Sequence, residues 1–352
     1  MRNFAEINLY NIKENFRRCA AGRRAVAVVK SDAYGHGAVR VAQSLEKDAL
    51  AFAVSNVDEA EELIFCGISP PVVILGDGYP PEFDRALNCG AIVSVGNTEN
   101  AVLLSEAARR KNIRARAVIC VDTGMHRDGF SYDDVAGIGN ALGLKNVDVV
   151  GIYTHPFCAD DAELVAVQKK RFERVKSALS GRRDMIFSFA SSAAASERDD
   201  VPRIGISTYG LFSSGTEEHG LAPALSLSAK ILSARRVKRG EYVGYGKNFR
   251  AEHDMTVATV AAGYGDGVPR ALSNVGDVII NGGRATIVGN ICMDMFMVCA
   301  DGVRFEVGDT ATLIGKNGHD EIRAEEVARL CGTVNYEIVC GISKRVPRIY
   351  RE

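Results

Sequence analysis

Lys30 closes the apolar run AVAVV at residues 25–29 and opens the segment KSDAYGHG at 30–37. A lysine at the carboxyl end of a buried strand, followed by glycines that let backbone approach a ligand, is placed to act as an imine-forming amine. Taken alone it would be a surface lysine after a strand, since lysine is almost never fully buried unless paired. The elements that position it, and the residues around it, decide between the two.

Short β-branched runs recur at 25–29, 51–54, 72–75, 91–95, 117–121, 149–153, 186–189 and, less sharply, 203–206, with helical patterns between them. Continuous rather than alternating apolar strands are what a parallel sheet covered on both faces requires. Asn56 is placed to cap the helix that follows it, with Glu59 as the reciprocal partner and Gly67 as the left-handed stop, and Asn97 or Thr98 opens the next but one. This alternation predicts an α/β fold with an N-terminal (β/α)8 TIM-like barrel over residues 1–223, a doubly wound open sheet being the alternative. From 224 to 352 the pattern becomes short strands with Gly and Asn turns, and the only long helical stretch is at 324–330. That predicts a second, mostly antiparallel β domain.

The 43 basic and 44 acidic side chains leave a net charge of -1, which gives no electrostatic reason for a nucleic-acid or anionic-membrane partner. Nine cysteines, scattered and without a CxxC pair, argue against both a disulfide framework and a zinc site. The charged N-terminal stretch MRNFAEINLYNIKENFRR reads as no signal peptide, and no apolar run has spanning length. A cytoplasmic location is the expectation.

The segment AVVKSDAYGHG at 27–37 resembles the cofactor-lysine motif of alanine racemases, which depend on pyridoxal phosphate. The resemblance continues in family order through VDTGMHRDGF (121–130), GIYTHPFCADD (151–161), ISTYGL (206–211), VGYG (243–246), AGYGDG (262–267), ICMD (291–294) and NYEIVC (335–340). It implies the same two-domain fold. It also implies that Lys30 holds pyridoxal phosphate and serves as one catalytic base. The resemblance further implies that Tyr245 is the other base, supplied by the second subunit of a homodimer with shared active sites. An electron sink is needed because no side chain can remove the Cα proton of a free amino acid unaided, and two opposed groups are needed because one face loses a proton while the other gains it.

By the same resemblance Tyr34, Ser192, Gly205, Ile206 and Tyr336 cradle the phosphate. Arg203 faces the pyridine nitrogen, and His155 relays its charge toward Tyr245. Arg127 reaches the ring oxygen and the substrate carboxylate, Met293 contacts substrate, and Tyr264 narrows the entrance together with Tyr336. Lys30, Arg127, His155, Ser191, Ser192, Arg203, Gly205 and Ile206 all fall at the carboxyl ends of the expected strands, the rim on which barrel enzymes build their sites.

Three positions depart from the family pattern. Cys120 stands where many members have a lysine, often carbamylated, so another anion must orient Arg127 or it is held less tightly. Ser191 replaces asparagine and Gly265 replaces alanine. The reading is an amino-acid racemase acting on alanine for cell-wall D-alanine supply. The alternatives are a serine or broader racemase on the same scaffold and a non-catalytic pyridoxal-phosphate carrier protein, and the latter would lack both the β domain and Tyr245.

Overall fold

The computed structural model describes residues 1–179, 185–189, 201–212 and 220–352; Ser191 and Ser192 lie outside the described residues. The chain begins with strand β1 (Asn3–Asn8) and helix α1 (Leu9–Ala20), and the Asn8 side chain caps that helix by accepting the Asn11 N–H. Parallel strands then alternate with helices: β2 (Val26–Val28), α2 (Lys30–Gly35), α3 (Ala38–Leu45), β3 (Ala51–Val54), α4 (Val57–Phe65), β4 (Val72–Ile74), α5 (Phe83–Cys89), β5 (Ile92–Val95) and α6 (Thr98–Arg110). Next come β6 (Ala115–Asp122), the two-residue β7 (Phe130–Ser131) beside its end, α7 (Val135–Leu142), β8 (Val147–Tyr153), α8 (Ala162–Ala178), β9 (Ile186–Ser188) and β10 (Arg203–Ile204).

The strands pair in the order β10-β2-β3-β4-β5-β6-β8-β9, each ladder parallel. All eight expected runs are therefore strands of a near-closed barrel. Every residue of β3 and of β5 is buried, the consequence of covering a parallel sheet on both faces. Between β9 and β10 the seam is held by the Val201 N–H on the Phe187 carbonyl at 3.1 Å and by the Arg203 side chain on the Ser188 carbonyl at 2.9 Å.

The second sheet comprises β11 (Leu225–Val237), β12 (Met255–Val260), β13 (Asp277–Ile280), β14 (Gly283–Thr286), β15 (Phe296–Cys299), β16 (Thr310–Asn317), β17 (Asp320–Ile322) and β18 (Arg348–Arg351). Its pairings are antiparallel except for β18 on β1. Residues 3–8 were expected in the barrel; instead β1 pairs with β11 and β18 and belongs to the second sheet. The reason is local: NFAEIN alternates buried and half-buried positions, the period of a strand covered on one face rather than two. Helix α9 (Ala324–Cys331) matches the expected stretch, and a further short helix, α10 (Asn335–Cys340), packs against α2. Among the described residues no helix is long and apolar enough to cross a membrane.

Candidate active site

The backbone after β2 reverses hand. Ser31, Asp32, Ala33 and Tyr34 have φ of 54°, 54°, 52° and 54°, so α2 opens as a left-handed turn. Each L-residue held there costs about 1–2 kcal/mol, and the surroundings supply what offsets it. Asp32 accepts the Ala38 N–H at 2.8 Å, and the His36 ring Nδ1 donates to the Ala33 and Tyr34 carbonyls at 3.1 and 2.9 Å. Gly35, at φ 80°, admits the last helix so closely that a Cβ would stand 2.1 Å from the Val339 carbonyl oxygen.

Glu59 departs from its expected part. Asn56 does cap α4, accepting the Glu59 N–H at 2.9 Å. The Glu59 carboxylate, however, does not return to Asn56: Oε2 accepts the Ser55 N–H at 2.8 Å and Oε1 the Ser31 N–H at 2.6 Å.

The turn places Lys30 and Tyr34 in a cavity of about 550 Å³ at the carboxyl rim of the barrel, where Arg127, His155, Arg203, Gly205, Ile206 and Tyr336 also line the wall. Tyr336 comes from α10, and its ring centroid lies 6.0 Å from that of Tyr34. Arg203 is buried. It donates to the Thr154 carbonyl at 2.5 Å and to the Ser188 carbonyl at 2.9 Å, and its guanidinium lies 5.0 Å from the Tyr153 ring centroid. His155, next to Thr154, is pushed down to about 3 by burial first and then by the charges of Arg203, Arg127 and Lys30. Its imidazole is therefore neutral at physiological pH.

Tyr153 was not anticipated as a site residue. Its hydroxyl accepts the Gly76 N–H at 2.9 Å and meets Ser94 Oγ at 2.9 Å on the cavity wall. The available signal was the two-residue spacing to His155, which puts both side chains on one face of an extended segment. Asp128 also lines the cavity, with Oδ1 3.5 Å from Arg127 Nε and 4.0 Å from Cys120 Sγ. Burial and the Asp128 charge push the Cys120 thiol up to about 12, so it stays protonated.

Tyr245, Tyr264 and Met293 are not part of this wall. They lie together on the second domain: the Asn290 side chain donates to the Tyr245 carbonyl at 2.8 Å, and the Tyr264 and Gly265 N–H groups bond the Cys292 and Met293 carbonyls at 3.0 and 2.9 Å. All three are open, at 74%, 45% and 54% exposure.

The polar groups of the cavity include an amine, two guanidiniums, three phenols and the backbone at Gly205 and Ile206, where the 3-10 turn Ile206–Tyr209 opens. These groups fit an anionic, aldehyde-bearing ligand such as pyridoxal phosphate: Lys30 for the carbonyl carbon, Tyr34, Tyr336, Gly205 and Ile206 for the phosphate, and the two arginines for the ring.

Family models described as the alanine racemase N-terminal domain and the alanine racemase C-terminal domain match residues 7–213 and 224–350. An alanine racemase of Carboxydothermus hydrogenoformans is 39% identical over 99% of both chains. The solved alanine racemase of Clostridium difficile 630 superposes with a TM-score of 0.94 at 33% identity, covering 100% of this chain and 96% of that one. A Bartonella henselae alanine racemase structure, described with covalently bound pyridoxal phosphate, does so at 0.88 and 29% over 100% of both chains.

Proposed function

The chain belongs to the alanine racemase family of isomerases, and on that premise we propose that its barrel cavity interconverts L-alanine and D-alanine with two bases, Lys30 and Tyr245 of the partner subunit. The observation that carries this reading is a division of labour. Lys30, Arg127, His155 and Arg203 converge on one cavity, while Tyr245 stands exposed beside Tyr264 and Met293 on the other domain. A base presented outward is of use to the site of a second copy, and twofold assembly would give each site one tyrosine from its neighbour.

Pyridoxal phosphate, when bound, supplies the electron sink that makes the Cα proton removable. Lys30 holds it at Nζ and takes or returns the proton on one face of Cα. Tyr245 Oη of the partner subunit does so on the opposite face. Arg127 binds the substrate carboxylate, and Arg203, buried and always charged, keeps a fixed cation toward the ring nitrogen. Neutral His155 accepts rather than repels at the heart of a cationic cluster. Tyr34, Ser192, Gly205, Ile206 and Tyr336 anchor the phosphate. Tyr264 and Met293 of the partner subunit line the entrance with Tyr336, whose ring leaves room for a methyl side chain more readily than for a longer one. Residues 1–223 and 224–352 divide the work accordingly, apart from β1, and the D-alanine product serves cell-wall precursor synthesis.

Two measurements test this. Lys30→Ala should lose the borohydride-fixed bond between protein and cofactor and all Cα exchange; a fixed bond that survives at another lysine sinks the assignment. Tyr245→Phe should slow deuterium exchange from L-alanine far more than from D-alanine while the cofactor spectrum persists. Equal slowing of both enantiomers argues against a base confined to one face.

A further inference from the structure

Lys30 is followed immediately by a turn that ordinary sequence preference does not support: four successive residues, none of them glycine, in the left-handed region. Such a conformation persists only where the surroundings over-determine it. One carboxylate reaches the turn at its first residue. Glu59 comes from α4, the helix after the neighbouring barrel strand, and its two oxygens take two different backbone donors. Oε1 accepts the Ser31 N–H at 2.6 Å, and Oε2 accepts both the N–H and the hydroxyl of Ser55, at 2.8 and 3.0 Å. Ser31 follows Lys30 directly, and Ser55 follows β3 and lines the active-site cavity. The side chain that an isolated helix would have used to close its own cap is thus spent on joining two strand ends at the rim.

We propose that Glu59 is a positioning residue for Lys30. It ties the start of the left-handed turn to the end of β3, so that Nζ is already aimed into the cavity before cofactor arrives. The proposal rests on the reading of Lys30 as the cofactor lysine. Its chemistry requires a carboxylate in particular: only an ionised carboxyl offers two acceptor oxygens and no donor, and glutamine would turn an amide N–H toward one of the two backbone N–H groups.

The test compares Glu59→Ala, Glu59→Gln and Asn56→Ala in the full-length protein. Asn56→Ala removes the cap of the same helix without touching Ser31 and so reports what loss of helix stability does by itself. Three readouts are taken: pyridoxal-phosphate affinity and uptake rate by absorbance, borohydride-fixed Lys30 by peptide mass spectrometry, and hydrogen exchange of the Ser31 amide in the cofactor-free protein. Glu59→Ala should weaken cofactor binding about ten- to hundredfold, slow its uptake and speed Ser31 exchange. Glu59→Gln should fall between it and the parent and serves alone if the alanine variant does not fold. Asn56→Ala should bind cofactor as the parent does.

Parent-like affinity and exchange in the Glu59 variants would overturn the proposal. So would an equal loss in Asn56→Ala, which would make the effect one of helix stability. If the parent itself shows no fixed cofactor on Lys30, the cofactor-lysine reading fails first and takes the clamp with it; a fixed Lys30 in the parent together with indifferent Glu59 variants removes the clamp alone.

Discussion

Arg127 is the residue whose environment departs most from the family pattern. With Cys120 in the place of a carbamylated lysine and its thiol held neutral, the anion beside Arg127 is its own neighbour, Asp128, 3.5 Å from Nε. The ion pair is half open, with Arg127 56% exposed, so it contributes roughly 0–1 kcal/mol. Asp128→Asn should therefore raise the alanine KM by roughly two- to fivefold with little change in kcat, since the guanidinium keeps its charge but loses its orientation. Steady-state kinetics in both directions checks this, and an unchanged KM would show that Asp128 does not brace Arg127. For the same reason Cys120→Lys assayed without bicarbonate should fail to lower KM: the Cys120 sulfur lies 4.0 Å from Asp128 Oδ1, so an ammonium at that position would draw Asp128 from Arg127.

At the scale of the element, the left-handed turn carries a pH dependence. His36 is fully buried against the Tyr209 ring, 4.5 Å between centroids, and is pushed down to about 4, chiefly by burial. Above the unfolded value of about 6.5 both states are neutral and the histidine contributes no pH term. As pH falls below that value the unfolded chain binds a proton that the folded chain refuses, so stability declines until about pH 4 and then levels. From His36 the loss at pH 5 is roughly 2 kcal/mol, and His155, lowered for the same reason, adds to it. Urea unfolding of the cofactor-free protein at pH 7 and pH 5 should show this decline. His36→Phe, which keeps the ring against Tyr209, should be less stable at pH 7 for want of the bonds to Ala33 and Tyr34 but should lose less on acidification. The same pH slope in parent and variant would remove His36 as its source.

For the whole molecule the decisive feature is the distance in role between the two domains. The chain holds the Lys30 cavity in its barrel and exposes Tyr245, Tyr264 and Met293 on its β domain. If assembly joins the two, variants defective in opposite halves must complement. Lys30→Ala and Tyr245→Phe, each without racemase activity alone, should after unfolding and refolding together at equal amounts recover about a quarter of the parent activity: half the dimers are mixed, and each has one intact site. Activity that stays at the level of the separate variants, with mixed dimers shown present by mass, would mean that Lys30 and Tyr245 act within one chain.

The barrel was legible because its signal is local: short continuous apolar runs such as VAV in β2 and AFAV in β3, recurring between helical patterns, suit a parallel sheet buried on both faces. The candidate site residues came from motif resemblance, and the common cavity of Lys30, Arg127, His155, Arg203, Gly205 and Ile206 followed from their position at strand ends. Three matters depended on tertiary structure. The alternation of β1 marked it as a strand with one covered face, but only its partners β11 and β18, hundreds of residues away, assign it to the second sheet. Glu59 follows Asn56 at the spacing of a capping pair, yet a backbone N–H from another strand end captures its carboxylate. The turn at Ser31 to Tyr34 holds a left-handed conformation that only Asp32 among its four residues tolerates; Asp32 and His36 brace it from within KSDAYGHG, but Glu59 and the close approach of α10 to Gly35 come from distant parts of the chain that a local reading could not weigh. Local sequence set the elements and the chemistry on offer; long-range hydrogen bonds and packing set where Lys30 points.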